Sequence, residues 1–389
     1  MSDPIYLDGF STLPLAPEAQ TAMVSAWSKP GNAGSPNAAG ERAARIVADG
    51  RAAVATLIGA APDEIIFTSG ATEANNLALL GAARAIAREA PQRRRILLSA
   101  IEHKAVIEPV RQLEAEGFVT TIVPVTQSGV IDLAALRALA GNDIALGSVM
   151  LVNNELGTIQ PVAQAAHIIH EAGGLVHCDA AQAAGKIPID VIDLDVDYLS
   201  LSAHKCYGPM GIGALYVSAA ATRPDAQLFG GHQQGGLRSG TEPVPLIAGF
   251  GAAARLAEAS LATDADHGNG LLNLLFDEMR RRQLRFSIVS GDAERVAGGA
   301  AIAIPDADGD TLSSLLAKTV AISTGSACTS GQIRASHVLE AIGFPEKKAR
   351  SVIRIFCNRY TGEQEICTAA DKIVEAVHRC GLATGDVRQ

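Results

Sequence analysis

The chain has 389 residues, 48% of them hydrophobic but only 4% aromatic, and 32 basic against 41 acidic side chains give a formal net charge of −9. This length exceeds one small domain and suits a large domain with a smaller companion, cored by Ala, Val, Leu and Ile. An acidic chain without a basic block is a poor partner for nucleic acid or an anionic membrane surface. No stretch approaches the roughly 20 apolar residues of a membrane span, and MSDPIYLDGF lacks the basic start and apolar core of a signal peptide. The expected location is the cytoplasm.

From Ile65 to Val217 strand-like and helix-like segments alternate. A strand at Ile65–Phe67 enters the turn of Phe67-Thr-Ser-Gly-Ala-Thr-Glu-Ala-Asn-Asn76 and then a helix. Unpaired N–H groups at such a helix start bind phosphate, although Ser69 or Thr72 would serve equally as an ordinary cap. Apolar runs follow at Ile96–Leu98, Thr121–Val125, Ala145–Val152, Leu175–His177, Tyr198–Leu201 and Gly213–Val217. Helical patterns intervene at Leu133–Leu139 and Pro161–Ala172. This alternation predicts an α/β fold with a mostly parallel sheet.

Several residues near these strand ends carry chemistry. His103, after the strand ending near Ser99, suits stacking on a flat ring or proton transfer. Asp179 in Val176-His-Cys-Asp-Ala-Ala-Gln182 ends a buried strand, where it can hold a pyridine nitrogen protonated or merely cap a turn. Lys205 in Ser202-Ala-His-Lys-Cys-Tyr-Gly-Pro209 follows an apolar strand, a setting that favours Schiff-base chemistry. Ser202 and His204 flank it as phosphate donors, and Arg238 and Thr241 in Gly235-Gly-Leu-Arg-Ser-Gly-Thr241 can serve an anion.

Beyond about residue 250 the texture changes. A bridging helix at Leu246–Ala262 precedes strands at Phe286–Val289, Ala300–Ile304, Val320–Ser323 and Ser351–Cys357. Helices lie at Thr311–Lys318 and Ala335–Ile342, and a last one opens on the capping-box spacing Thr361-Gly-Glu-Gln364. This predicts a smaller α+β domain, giving a division into 16–250 and 1–15 with 251–389. Arg354, a charge inside an apolar strand, needs an anionic partner: a substrate carboxylate or a structural acid.

The six cysteines, at 178, 206, 328, 357, 367 and 380, contain no C-x-x-C pair and fit no zinc template, so no metal is expected. Most read as inert core thiols. Cys328 differs: Ser323-Thr-Gly-Ser-Ala-Cys-Thr-Ser-Gly331 surrounds it with small and polar residues, which predicts a mobile, exposed loop (about 323–335) and a reactive thiol.

These segments, in this order, resemble the cysteine desulfurases (the NifS/IscS-like group), a branch of the class V aminotransferase family of fold-type I pyridoxal-phosphate enzymes. The likeness runs from about Tyr6 to Glu365 and includes Val152–Pro161 (VNNELGTIQP). It implies a large domain with a seven-stranded sheet flanked by helices, a small α+β domain, and conversion of L-cysteine to L-alanine. Sulfur would pass to Cys328 as a persulfide and then to an acceptor protein of unknown identity, for iron–sulfur cluster assembly or another thiolation pathway. By position, Lys205 carries pyridoxal 5'-phosphate, Asp179 pairs with its ring nitrogen, Gln182 with its hydroxyl, and His103 stacks on the ring. Asn154 assists near ring and substrate. Ala71, Thr72, Ser202 and His204 hold the phosphate, Thr241 joins from a partner subunit of an obligate homodimer, and Arg354 clamps the substrate carboxylate. The chain departs from the family at Gly9-Phe10-Ser11-Thr12, at Asn37 and at Gln234. Competing readings are a selenocysteine lyase or an aminotransferase on the same fold, and a non-catalytic sulfur-relay protein. A loop thiol argues against an aminotransferase, and the presence of Lys205, Asp179 and Cys328 together argues against a relay protein.

Overall fold

The computed structural model describes residues 3–305, 307–324 and 336–385. In chain order the first part comprises β1 (Ile5–Tyr6), α1 (Pro17–Trp27), α2 (Ala38–Leu57), β2 (Ile65–Thr68), α3 (Ala71–Glu89), β3 (Arg95–Ser99), α4 (Lys104–Ala115), β4 (Val119–Val123), α5 (Leu133–Leu139) and β5 (Ile144–Ser148). There follow α6 (Val162–Glu171), β6 (Leu175–Asp179), β7 (Tyr198–Ser202), β8 (Gly213–Val217) and α7 (Val244–Arg281). The rest comprises β9 (Ser287–Ile288), β10 (Gly299–Ala303), α8 (Gly309–Leu316), β11 (Val320–Ala321), α9 (His337–Ala341), α10 (Glu346–Ala349), β12 (Val352–Phe356) and α11 (Glu363–Gly385).

Seven strands form the main sheet in the order β2-β8-β7-β6-β5-β3-β4. Only β8 runs against its neighbours, so β2, β3, β5, β6 and β7 all end at one edge. Such strands must be apolar on both faces, and their side chains divide by alternation. Ile65, Phe67, Leu97, Leu199 and Leu201 enter one core, whereas Ile66, Ile96, Leu98 and Tyr198 enter the core beneath α3 and α4.

The smaller layer is an antiparallel β12-β10-β9 sheet, with the parallel pair β1-β11 beside it. α8, α11 and the second half of α7 cover it. α7 is longer than the expected bridge: it continues to Arg281 through the polar stretch 263–270. Tertiary partners hold that stretch helical. Asp264 pairs with Arg359, His267 Nε2 meets the Thr361 carbonyl at 3.0 Å, and Gly268 packs so closely on Gly298 that a Cβ would sit 3.2 Å from its Cα. α7 is long and apolar enough to cross a membrane by composition. Here its apolar face is spent in packing: Phe250 lies 6.5 Å from Phe67, and Leu271, Leu275 and Met279 belong to the small-sheet core.

Gly343 ends α9 with a φ of 71°, as expected of a left-handed C′ residue. The cap of α11 is displaced by one residue from the expected box. Gly362 donates its N–H to Glu365 Oε2 at 2.8 Å, while Thr361 Oγ1 accepts from Asn358 N. Where β7, β8 and the start of α3 converge, Gly213 leaves no room for a side chain: a Cβ would lie 2.4 Å from the Leu201 carbonyl oxygen and 2.7 Å from Gly70 backbone. Gly213→Ala should therefore cost about 1–3 kcal/mol by overpacking, read as a lowered midpoint in thermal or urea melts.

Candidate active site

The carboxyl edge of the main sheet gathers the expected residues, as parallel sheets do with ligands. His103 follows β3, Asn154 follows β5, Asp179 ends β6, Ser202 ends β7, and Lys205 closes the 3-10 turn after it. Beyond β2, α3 begins at Gly70, whose φ of 151° only glycine adopts readily. Neither Ser69 nor Thr72 caps this helix. The first turn, with Ala71 and Thr72, thus presents main-chain N–H groups to an anion, and a Cβ on Gly70 would meet nothing within 4 Å. Glu73 Oε2 accepts from Ser69 N at 2.7 Å, and its other oxygen takes Arg238 Nε at 2.8 Å. Arg238 is therefore bound to a carboxylate, and its role is to tie the glycine-rich loop to the start of α3. Thr241 lies exposed in that loop.

Asp179 is buried and serves two masters. One oxygen accepts from Ala181 N at 3.0 Å as a turn cap, and the other accepts from Asn75 Nδ2 at 2.8 Å. Asn75 stands in the quoted α3 motif, yet the sequence offered no sign that it would reach across to β6. Next to Asp179, the fully buried Glu102 accepts from Met150 N at 2.5 Å, and its second oxygen has no partner among the described residues. Burial first, then the Asp179 charge, pushes its carboxyl well above the usual range. His103 caps α4, its Nδ1 accepting from Ala105 N at 3.1 Å, which places the proton of the neutral ring on Nε2. Burial lowers its pKa, against the pull of Asp179.

The departing segment proves central. Lys205 Nζ donates to the carbonyls of Phe10 (2.5 Å) and Ser11 (2.6 Å), Gln182 Nε2 to the same Phe10 carbonyl at 2.8 Å, and His204 Nδ1 meets Thr12 Oγ1 at 3.0 Å. Burial, then the Lys205 and Lys186 charges, lower His204 to about 4. Arg354 has the structural acid partner: Nη2 contacts Asp8 Oδ1 at 3.1 Å, Ser11 Oγ at 2.6 Å and Ser323 Oγ at 2.7 Å, and Nη1 donates to the Asn154 carbonyl at 2.8 Å. Its Nε remains buried without a partner among the described residues. Asp8 lay one residue from the flagged segment but carried no signal of its own.

The two other departures have structural work. Asn37 caps α2, accepting from Ala39 N and Gly40 N. Gln234, at a φ of 53°, accepts from Phe67 N and Arg51 Nη1, both at 2.9 Å, and donates to Glu242, so it stitches the glycine-rich loop to β2. Cys328 and most of its loop lie outside the described residues. Of the other cysteines, 178, 206, 357 and 380 are buried, as core thiols should be.

Pyridoxal phosphate fits this donor set. An uncapped helix start and Ser202 suit its phosphate, the buried Asp179 suits a pyridinium, and Gln182 Oε1 is a buried acceptor without a partner among the described residues. Lys205 supplies the amine.

The Aminotransferase class-V family model matches residues 5–367. A cysteine desulfurase IscS of Vibrio campbellii is 41% identical over 383 residues, covering 97% of this chain and 93% of the relative. A cysteine desulfurase of Mus musculus is 41% identical over 382 residues, covering 97% and 82%. A solved NifS-like protein superposes with a TM-score of 0.88 at 34% identity, covering 96% of this chain and 99% of the other.

Behind Asp179 lies a fully buried histidine. His177 Nδ1 meets Ser148 Oγ at 2.9 Å and its Nε2 meets Ser200 Oγ at 3.1 Å, and burial drops its pKa to about 4. An unfolded histidine binds its proton near pH ~6.5. Between about pH 6.5 and 4 the unfolded chain therefore holds the extra proton, and this residue makes stability fall as the pH is lowered. Glu155, raised to about 7 by burial, acts in the opposite sense. The difference between proteins isolates the histidine: His177→Gln should lower stability at pH 7.5 yet flatten the acid loss, measured by urea melts at pH 7.5 and 5.

Proposed function

The chain belongs to the aminotransferase class-V family and is a pyridoxal-phosphate-dependent cysteine desulfurase, and we propose from this premise which of its residues carry the reaction. Bound through Lys205, the cofactor supplies an electron sink for the substrate's Cα electrons. The start of α3 (Ala71, Thr72), with Ser202 and His204, holds its phosphate. Asp179, braced by Asn75, would keep the ring nitrogen protonated, and Gln182, with its unpartnered Oε1, would take the ring hydroxyl. His103 would stack on the ring, with Nε2 carrying the movable proton at the substrate thiol. Lys205, released from the carbonyls of Phe10 and Ser11, takes and returns the Cα proton. Arg354 and Asn154 hold L-cysteine; the unpartnered Nε of Arg354 supports that role.

Cys328 attacks the substrate sulfur as a thiolate, forming an S–S bond as the C–S bond breaks, and L-alanine leaves after protonation. The persulfide then passes to an acceptor protein. Support for Cys328 is chemical: it alone among the six cysteines stands among small polar residues. A homodimer is supported by the exposed aromatic side chains Trp27 (62%) and Phe229 (86%), which a partner subunit would cover, and by the exposed Thr241. The carrying observation for the whole reading is the convergence of Lys205, Asp179, Gln182 and the uncapped α3 start on one sheet edge.

Cys328→Ser should keep the yellow absorbance of the bound cofactor and lose at least about 100-fold in sulfide and alanine production; a normal rate would remove Cys328 from the mechanism. Lys205→Ala should lose the yellow band of the purified protein, and a native spectrum there would end the cofactor assignment.

A further inference from the structure

We propose that Lys186 is a positioning residue for Lys205: a second buried ammonium, bonded to the Lys205 main chain, that fixes the reactive lysine and opposes its protonation. The inference deepens the reading above and rests on Lys205 carrying the cofactor.

Lys186 lies in the turn that follows Asp179 and is only 8% exposed. Its Nζ donates to the Lys205 carbonyl at 2.8 Å and sits 5.6 Å from the centroid of the Phe356 ring. The turn is pressed against this place: Gly185 has a φ of 70°, and a Cβ there would lie 3.0 Å from the Cβ of Cys206, the residue after Lys205. No ion pair among the described residues includes Lys186. The acid beside it, Asp264, is held by Arg359 through two oxygens. The cavity these groups share with Lys186 is about 20 Å³, too small for a ligand.

A buried ammonium without a carboxylate is costly, and a neutral amide would satisfy the Lys205 carbonyl as well. The charge itself therefore needs a use. Burial and then the Lys205 charge pull Lys186 down to about 7. Coupling between two titrating groups is mutual, so the charge on Lys186 makes protonation of the Lys205 nitrogen harder by the same amount. A neighbouring cation is a recognised way to free a lysine amine near neutral pH.

The remaining groups do not supply this effect. On the Lys186 side, burial raises Cys206 to about 11 and Cys357 and Tyr207 to about 12, so all three are neutral, and Arg359 is matched by Asp264. On the Lys205 side stand His103 and His204, both with lowered pKa values, and Asp179, which favours the protonated amine.

The test uses the holoenzyme. The yellow band is titrated from about pH 5.5 to 9.5 in the native protein, Lys186→Gln and Lys186→Arg. Gln keeps a donor for the Lys205 carbonyl without the charge, and its midpoint should rise by about one unit, a tenfold gain in proton affinity. Arg keeps the charge, and its midpoint should not rise. Equal midpoints in all three proteins, or an equal rise in both variants, overturn the inference. Should neither variant fold, the native curve decides: two coupled protons spread the transition beyond about two pH units, and a single-proton curve overturns it. A native protein with no yellow band at all would instead overturn the cofactor assignment, and the inference with it.

Discussion

Lys205 donates to the carbonyls of Phe10 and Ser11, and this contact joins the two parts of the molecule at the site. The amine belongs to the edge of the main sheet. The carbonyls belong to a segment that starts in the small layer, where β1 pairs with β11 and Leu7 enters the small-sheet core. The segment then crosses to the main sheet, where Phe10 and Leu13 enter the large core. Phe10 is fixed from both sides, packed edge-on to Phe356 at 5.0 Å with the Arg354 guanidinium 5.5 Å from its ring centroid. A half-buried amine needs acceptors, and the crossing segment supplies them.

The same economy governs the neighbouring charges. Asp8 answers Arg354, Asn75 answers Asp179, Glu73 answers Arg238 and Asp264 answers Arg359. Each pair links an element near the sheet edge to one that arrives from elsewhere in the chain. The site is therefore rigid for electrostatic reasons as much as for packing, and rigidity of this kind is what placing a proton donor or an anion cradle requires. Glu102 and Lys186, like Glu155 beyond them, have no opposite charge in an ion pair among the described residues. Burial moves one up and the other down, each toward its neutral form.

Much of this architecture could be read from the residues in order. The alternation from Ile65 to Val217 placed the strands of the main sheet to within about two residues at most ends, because a strand buried on both faces must be a short apolar run. Loop chemistry at their carboxyl ends marked Asp179, Lys205 and His103 as residues too polar for their surroundings. The small sheet was legible for the same reason. The length of α7 was not, since Asp264, His267 and Gly268 look like a helix end until Arg359, Thr361 and Gly298 are brought against them.

By itself the sequence offered the groups such chemistry needs: a lysine and an aspartate at the ends of apolar strands, and a cysteine among small polar residues. It also flagged residues 9–12 as unusual. Only the tertiary structure decided what those residues touch. Asp8 and Arg354 are 346 positions apart, Gln182 and Phe10 are 172 apart, and Lys186 reaches a main-chain oxygen 19 residues on. Local periodicity carries no information about such pairs. They are selected when buried charges and unpaired donors must find partners in a packed interior, and that search is completed only by the fold as a whole.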